Sequence, residues 1–133
     1  MKKGDRFSHR FHVTQEIQDA FIETFSDKNP LHVDSEYARR LGFQSKVMHG
    51  NILGGFLSYF VGECLPVKNV IIHSQEIKYF LPVYLNDYLD LRVEIADVFD
   101  AVGAIEMRFR FENKEKRIAS GKIQIGLLTV PGQ

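Results

Sequence analysis

The stretch GNILGGFLSYFVGECLP, residues 50–66, decides the fold. Its apolar residues surround the helix axis instead of following one stripe, a pattern typical of a helix that is buried on every side. Gly54, Gly55 and Gly62 interrupt this segment, and each glycine costs roughly 1 kcal/mol relative to alanine. We therefore expect the sheet, a partner or a ligand to approach the helix backbone closely. Pro66 ends the helix.

After Pro66 the apolar pattern changes from helical to alternating, which predicts strands. Four long strands separated by polar turns are expected at residues 70–84, 88–99, 101–111 and 118–128. Sequential strands joined by short turns form an antiparallel sheet. The sequence thus predicts an α+β fold in which a long antiparallel sheet curls around the central buried helix.

The residues before this segment predict a short strand and two helices. The strand is expected at residues 7–13, and Thr14 has the chemistry of an N-cap for the helix that follows. This helix must end before Pro30. Asp34 or Ser35 is expected to cap a second short helix that ends at Leu41. With neither linker nor repeat, residues 1–133 are expected to form a single domain.

Composition excludes several classes of function. Lys plus Arg and Asp plus Glu each number 17, and this neutrality argues against nucleic-acid binding. The longest apolar stretch, residues 52–65, is too short and too interrupted to span a bilayer, and nothing at the N-terminus has the pattern of a signal peptide. A cytoplasmic protein without membrane association is expected. Cys64, the only cysteine, is interpreted as a buried structural thiol.

Polar residues concentrate around a proline in the stretch FSDKNPLH, residues 25–32. Pro30 stiffens the chain, so that a turn brings Asp27 and His32 together as a carboxylate–imidazole pair suited to acid/base chemistry. The alternative is an Asx-turn in which Asp27 caps backbone donors while His32 only packs.

A second polar stretch, VMHGN at residues 47–51, directly precedes the central helix. The N–H groups at a helix N-terminus are unpaired, and Gly50 would let a substrate oxygen reach them, as in an oxyanion hole. Gly50 could equally provide only a tight junction between loop and helix. His49 is expected to fix the loop through hydrogen bonds. The histidines are scattered along the sequence, which predicts no metal site.

Taken together, these motifs resemble the MaoC-like family, which includes R-specific enoyl-CoA hydratases and related hydroxyacyl thioester dehydratases. The resemblance rests on S-D-x-N-P-L-H at residues 26–32, H-V-D at 32–34 with Ala38, and V-M-H-G at 47–50. Residues 77–83, IKYFLPV, look like a strand segment of that family, followed by the Asn86-Asp87 turn. The similarity extends from about Phe7 to Leu128.

The resemblance implies a hot-dog fold and the reversible hydration of a trans-2-enoyl thioester carried by coenzyme A or an acyl carrier protein. It implies that Asp27 and His32 are catalytic, that Asn29 orients the water and that the Gly50 N–H is the oxyanion donor. Ser58 and His49 would lie beside the substrate. The family usually has glycine where this chain has Ser26. No cofactor or metal is implied, and a homodimer or higher homo-oligomer is expected.

Two other functions stay open at this point. A hot-dog thioesterase would hydrolyse the same class of substrate, although such enzymes generally lack the Asp–Asn–His loop. A non-catalytic subunit that binds an acyl thioester is the other alternative, because a fold does not determine a function. Ser26 is the feature that favours this second alternative.

Overall fold

An antiparallel sheet of five strands in the order β1-β3-β4-β5-β2 forms the framework of the computed structural model, which describes residues 1–132. The strands are β1 (Arg6–His12), β2 (Val70–Tyr79), β3 (Tyr88–Phe99), β4 (Ala104–Asn113) and β5 (Lys116–Leu127). The helices are α1 (Gln15–Phe25), α2 (Pro30–Val33), α3 (Ser35–Arg40) and α4 (Asn51–Tyr59), and α4 continues into a π-helical turn, Phe60–Cys64. Within the described residues, none of the helices combines the length and the apolar character that crossing a membrane requires.

Two predicted strand boundaries are wrong by three residues or more, and local structure explains both. The strand β2 ends at Tyr79 instead of residue 84, because the N–H groups of Phe80 and Leu81 both donate to the Ile118 carbonyl, at 2.8 and 3.2 Å. Strand β4 begins at Ala104 because Asp100–Val102 form a 3₁₀ turn that ends at Gly103, whose φ is 61°. The α+β architecture itself is as predicted.

The core lies between the inner face of the sheet and one side of α4. Buried side chains of α4 and of its π-helical continuation pack against buried residues of β3, β4 and β5. The α4 side of this core consists of Ile52, Leu53, Phe56, Leu57, Phe60 and Val61. In β3 and in the middle of β4, buried positions alternate with less buried ones, as expected for a sheet covered on one face.

The prediction that α4 is buried on every side is wrong for a single chain. Asn51, Gly55, Ser58 and Tyr59 are exposed along one stripe of the helix. A Cβ atom added at Gly55 would have no neighbour within 4 Å, and one at Gly54 would meet only the Gln75 amide nitrogen, at 3.8 Å. The close approach that the glycines predicted is therefore not made by this chain, and the outer stripe of α4 is left uncovered.

The first helices position the polar loop at the N-terminal end of α4. The predicted caps are confirmed, since Thr14 Oγ1 accepts the Ile17 N–H and Asp34 Oδ1 accepts the N–H groups of the first turn of α3. The single turn of α2 was not predicted. It fixes the loop against the segment before α4, where the Val47 N–H donates to the Leu31 carbonyl at 2.9 Å.

Cys64 lies half-buried in the π-helical turn, with its sulfur 3.9 Å from His9 Nδ1. Burial raises the pKa of the thiol, although Lys68 acts in the opposite direction. A thiol that resists deprotonation is a poor nucleophile. This agrees with the structural role expected of the residue.

Candidate active site

Asp27 and Asn29 both bind backbone donors of the loop between α1 and α2. Asp27 Oδ1 accepts the Asn29 N–H at 3.1 Å, and Asn29 Oδ1 accepts the Leu31 N–H at 3.0 Å as the N-cap of α2. The Asx-turn alternative is thus present in the structure. This turn involves only one carboxylate oxygen of Asp27. The side chain is 48% exposed, and its second oxygen, Oδ2, makes no hydrogen bond to residues 1–132. The Asn29 amide nitrogen makes no hydrogen bond to residues 1–132 and is free to meet a water molecule.

Ser26, in the position where the resemblance predicted glycine, ends α1 in the left-handed conformation, with φ 60° and ψ 21°. Its N–H donates to the Ile22 carbonyl at 2.8 Å. Glycine adopts this conformation without a steric penalty, whereas another residue loses roughly 1–2 kcal/mol. The serine therefore keeps the backbone shape that glycine favours, at a cost in stability.

A backbone contact fixes the tautomer of His32. Its Nδ1 lies 2.7 Å from the Val47 carbonyl oxygen. A carbonyl can only accept a hydrogen bond, so Nδ1 carries the proton. In the neutral ring, Nε2 then presents a lone pair. The half-buried His32 is thereby oriented as a proton acceptor.

His49 is buried and connects the two polar stretches. Its Nε2 donates to the carbonyl oxygen of Asp27 at 2.9 Å, which is the loop-fixing contact expected of this residue. The ring stacks on His32 with centroids 4.1 Å apart, and Phe21 packs against it at 4.5 Å. Its Nδ1 is buried and has no hydrogen-bond partner among residues 1–132. His49 therefore holds Asp27 and His32 in a fixed relation to each other.

The fold brings one carboxylate and two imidazoles to one point. One potential ligand atom from each of Asp27, His32 and His49 lies within 4.8 Å of the others. These are the residues that could hold a divalent cation, an arrangement that their spacing in the sequence did not indicate. A cation bound to His49 Nε2 would have to replace its hydrogen bond to the Asp27 carbonyl. An exposed carboxylate beside an oriented imidazole is also an arrangement suited to acid/base chemistry.

Gly50 is the N-cap of α4 and lies next to this cluster in the sequence. Its N–H meets no acceptor within residues 1–132, and no side chain caps the helix. The Tyr79 hydroxyl donates to the Gly50 carbonyl oxygen at 3.3 Å, and a Cβ at position 50 would lie 3.1 Å from the tyrosine ring. Burial raises the pKa of Tyr79, which keeps the phenol a donor. The sequence assigned no role to Tyr79, because its contact with Gly50 depends on the tertiary fold.

Two clefts adjoin the cluster. One, of about 310 Å³ and here called the Gly50 cleft, is lined by His32, Gly50, Tyr79 and Phe80 among others. The other, of about 760 Å³ and here called the Phe21 cleft, lies between α1 and α4 and is mostly apolar, with Asp27 in its lining. Each member of the Asp27–His32 pair thus faces a different cleft.

Ser58 is not brought to this cluster within a single chain. It is exposed and belongs to the lining of neither cleft. Eight residues separate it from Gly50, which corresponds to about 12 Å along a helix. Ser58 would lie beside the substrate, as predicted, only if the substrate extended along the outer stripe of α4.

Comparisons with known proteins place the chain in a family. Residues 4–117 match the family model described as MaoC like domain, and the chain belongs to this family. It is 33% identical over 90 residues to the (R)-specific enoyl-CoA hydratase of Aeromonas caviae, a match covering 68% of this chain and 66% of that protein. It is 31% identical over 78 residues to the 3-hydroxybutyryl-CoA dehydratase of Methylorubrum extorquens, covering 59% and 50% of the two chains. These matches span between half and just under two thirds of the relatives' lengths.

A solved structure confirms the hot-dog fold. The (R)-hydratase from A. caviae superimposes with a TM-score of 0.88 at 23% identity, over 96% of this chain and 98% of that one. Such a low identity shows the fold and not the activity.

Proposed function

We propose that this protein catalyses the reversible addition of water to trans-2-enoyl thioesters, which gives (3R)-3-hydroxyacyl thioesters. The observation that carries the proposal is the Asp27–His32–His49 cluster, with the unpaired Gly50 N–H in the same cleft as His32. A water molecule between Asp27 and His32 would be close to the C2=C3 bond of an enoyl group whose thioester oxygen meets Gly50. Membership of the MaoC-like family supports this reaction type.

In the hydration direction, His32 is the proposed base, since its Nδ1–H bond to Val47 leaves Nε2 free to accept a proton. The water oxygen forms a bond to C3 while one water proton moves to His32 Nε2. The proton on His32 then passes to the Asp27 carboxylate, which delivers it to C2, so both groups return to their starting states. The product has gained one hydroxyl group and one hydrogen atom, so the step balances.

The proposed role of Gly50 is electrostatic. Negative charge develops on the thioester oxygen as water attacks C3, and a preorganised N–H at a helix N-terminus stabilises such charge. Tyr79 supports this end of the site, because its hydroxyl is hydrogen-bonded to the Gly50 carbonyl and holds the first turn of α4 in place. Asn29 would contribute its amide nitrogen to the water.

The direct test uses crotonyl-CoA, with the enoyl absorbance and the free thiol followed in parallel. Hydration should remove the enoyl absorbance without releasing thiol. Release of thiol would instead identify a thioesterase. Binding of the thioester without either change would identify a non-catalytic subunit, and both results would contradict the proposal.

We also propose that the functional unit is a homodimer, with β2 at its interface. This strand of ten residues forms one edge of the sheet, and Ile71 and Tyr79 are each about half exposed, at 48% and 49%. Long exposed edge strands invite pairing, and a two-fold axis would pair β2 with its copy. A second chain could also cover the exposed stripe of α4 that includes Ser58.

Light scattering should give a particle of at least twice the 15.3 kDa chain mass. Ile71→Lys should shift the protein toward the monomer, since a charge at an edge strand opposes pairing. Val102→Lys is the matched control, because Val102 is 74% exposed in the turn between β3 and β4. A monomeric wild-type protein with full activity at nanomolar concentration would rule out the dimer.

A further inference from the structure

We infer that Arg117, held against Phe80 beside the Gly50 cleft, binds a phosphate of the molecule that carries the thioester. This inference rests on the proposed function and specifies which end of the substrate occupies which cleft. The Arg117 guanidinium carbon lies 3.9 Å from the centroid of the Phe80 ring. Phe80 in turn is part of the cleft lining, 44% exposed.

The positive charge of Arg117 is not neutralised by a carboxylate of the sheet. Glu112 is its neighbour in the register of β4 and β5. The Glu112 carboxylate, however, accepts from Arg110 at 2.7 Å and from Arg92 at 3.4 Å. Within residues 1–132, no carboxylate oxygen lies within 4.0 Å of the Arg117 guanidinium. Its donors are therefore available for an external anion.

The contact between Arg117 and the cleft is structurally fixed. The N–H groups of Phe80 and Leu81 both donate to the carbonyl of Ile118, the residue after Arg117. On the other side of Phe80, the Tyr79 hydroxyl reaches the Gly50 carbonyl. One continuous wall therefore leads from the proposed oxyanion donor to the free guanidinium, and we expect the arm of the thioester carrier to lie along it.

Charge distinguishes the two clefts. The Gly50 cleft has no carboxylate in its lining. The Phe21 cleft contains Asp27, and the helix α1 that forms its wall carries three acidic residues and no Lys or Arg. A phosphate anion is thus favoured at the Gly50 cleft, and the apolar Phe21 cleft is left for the acyl chain.

An arginine stacked on an aromatic ring is well suited to this role. Stacking restricts the guanidinium while leaving the in-plane N–H donors at its edge free, and these match a phosphate in a bidentate geometry. Coenzyme A and a protein-bound 4′-phosphopantetheine both carry a phosphate at the end of the pantetheine arm. The ligand chemistry is therefore a pantetheine phosphate, whichever carrier supplies it.

The test compares Arg117→Met with the wild-type protein on three crotonyl thioesters: crotonyl-CoA, crotonyl-acyl carrier protein, and crotonyl-pantetheine, which lacks phosphate. Methionine keeps apolar packing on Phe80 and removes the charge. We expect KM for crotonyl-CoA to rise about tenfold with kcat unchanged, since a lost charge-assisted hydrogen bond has roughly that effect. KM for crotonyl-pantetheine should change less than about twofold. Arg117→Lys should recover part of the loss, because it restores the charge without the planar fork.

Arg108→Met is the matched control, since Arg108 is exposed on the outer face of the sheet between buried neighbours, and it should leave every KM unchanged. A rise in KM for both phosphate-bearing substrates assigns the pantetheine phosphate. A rise for crotonyl-CoA alone assigns the nucleotide phosphates and overturns the pantetheine phosphate as the ligand. Equal changes with all three substrates, or none, would overturn the inference altogether. Wild-type turnover of crotonyl-pantetheine tests the proposed function separately, so the two failures are distinguishable.

Discussion

Asp27→Asn is expected to lower the hydration rate of crotonyl-CoA by about 10² to 10⁴, the usual range for loss of an acid/base group. The fold should survive, because the asparagine side chain keeps an oxygen that can accept the Asn29 N–H, as Asp27 Oδ1 does at 3.1 Å. The side chain is 48% exposed, so the substitution buries no unpaired polar group. kcat and the melting temperature, measured on the same preparation, separate a catalytic loss from an unfolded protein.

The partner variant, His32→Ala, is expected to lose activity in the same range. It also removes the donor to the Val47 carbonyl, which lies 2.7 Å from Nδ1, so some loss of stability is expected as well. His32→Asn separates the two effects, since its amide can still donate to Val47 but cannot accept a proton as a base. It should be as inactive as the alanine variant and more stable.

Asp34→Asn is the matched control for both variants. Asp34 lies in the same region but caps α3, and asparagine retains the oxygen that accepts the Glu36 and Tyr37 N–H groups. Near-native turnover is expected for this variant. If Asp27→Asn or His32→Asn also kept near-native turnover, that residue would have to be removed from the proposed catalytic pair.

The sequence predicted most of this fold where periodicity was strong. The central helix and the strand β3 follow directly from their apolar patterns, and Thr14 and Asp34 are the caps that their side chains indicated. The end of β2 was predicted too late, because residues 80–84 continue the apolar pattern of a strand. Only the hydrogen bonds to Ile118 show that the chain leaves the sheet there.

The candidate site was predicted less completely than the fold, for a physical reason. Asp27 and His32 are close in the sequence, and their chemistry is visible in a short motif. The tautomer of His32 depends on Val47, fifteen residues away, and the contact of Tyr79 with Gly50 spans twenty-nine residues. Such long-range contacts leave no periodic signal. The sequence also failed to predict the uncovered stripe of α4. Its small residues indicate a packing surface, but they do not show whether this chain or another molecule covers it.

A large loss of stability is expected from a substitution in β5, at Gly121. A Cβ atom there would overlap the backbone carbonyl of Glu76 in β2 and would lie 2.9 Å from Phe109 Cζ. A backbone oxygen cannot move aside without separating the two strands. We therefore expect Gly121→Ala to destabilise the protein by about 3 kcal/mol or more, above the usual range for added volume in a core. Thermal unfolding should show a fall of about 10 °C or more.

Gly126→Ala, in the same strand, is the matched control for this substitution. A Cβ atom at Gly126 would also be too close to a neighbour, but that neighbour is the ring of the exposed His73, which can rotate away. Its cost should stay below about 1 kcal/mol. Equal losses in the two variants would contradict the idea that backbone contact between β2 and β5 is the limiting constraint.

The contact between β2 and β5 matters for the site because β2 ends at Tyr79 and β5 begins beside Arg117. Separating these strands would therefore move the Gly50 cleft wall away from Arg117, so activity on crotonyl-CoA should fall with stability in Gly121→Ala and not in Gly126→Ala.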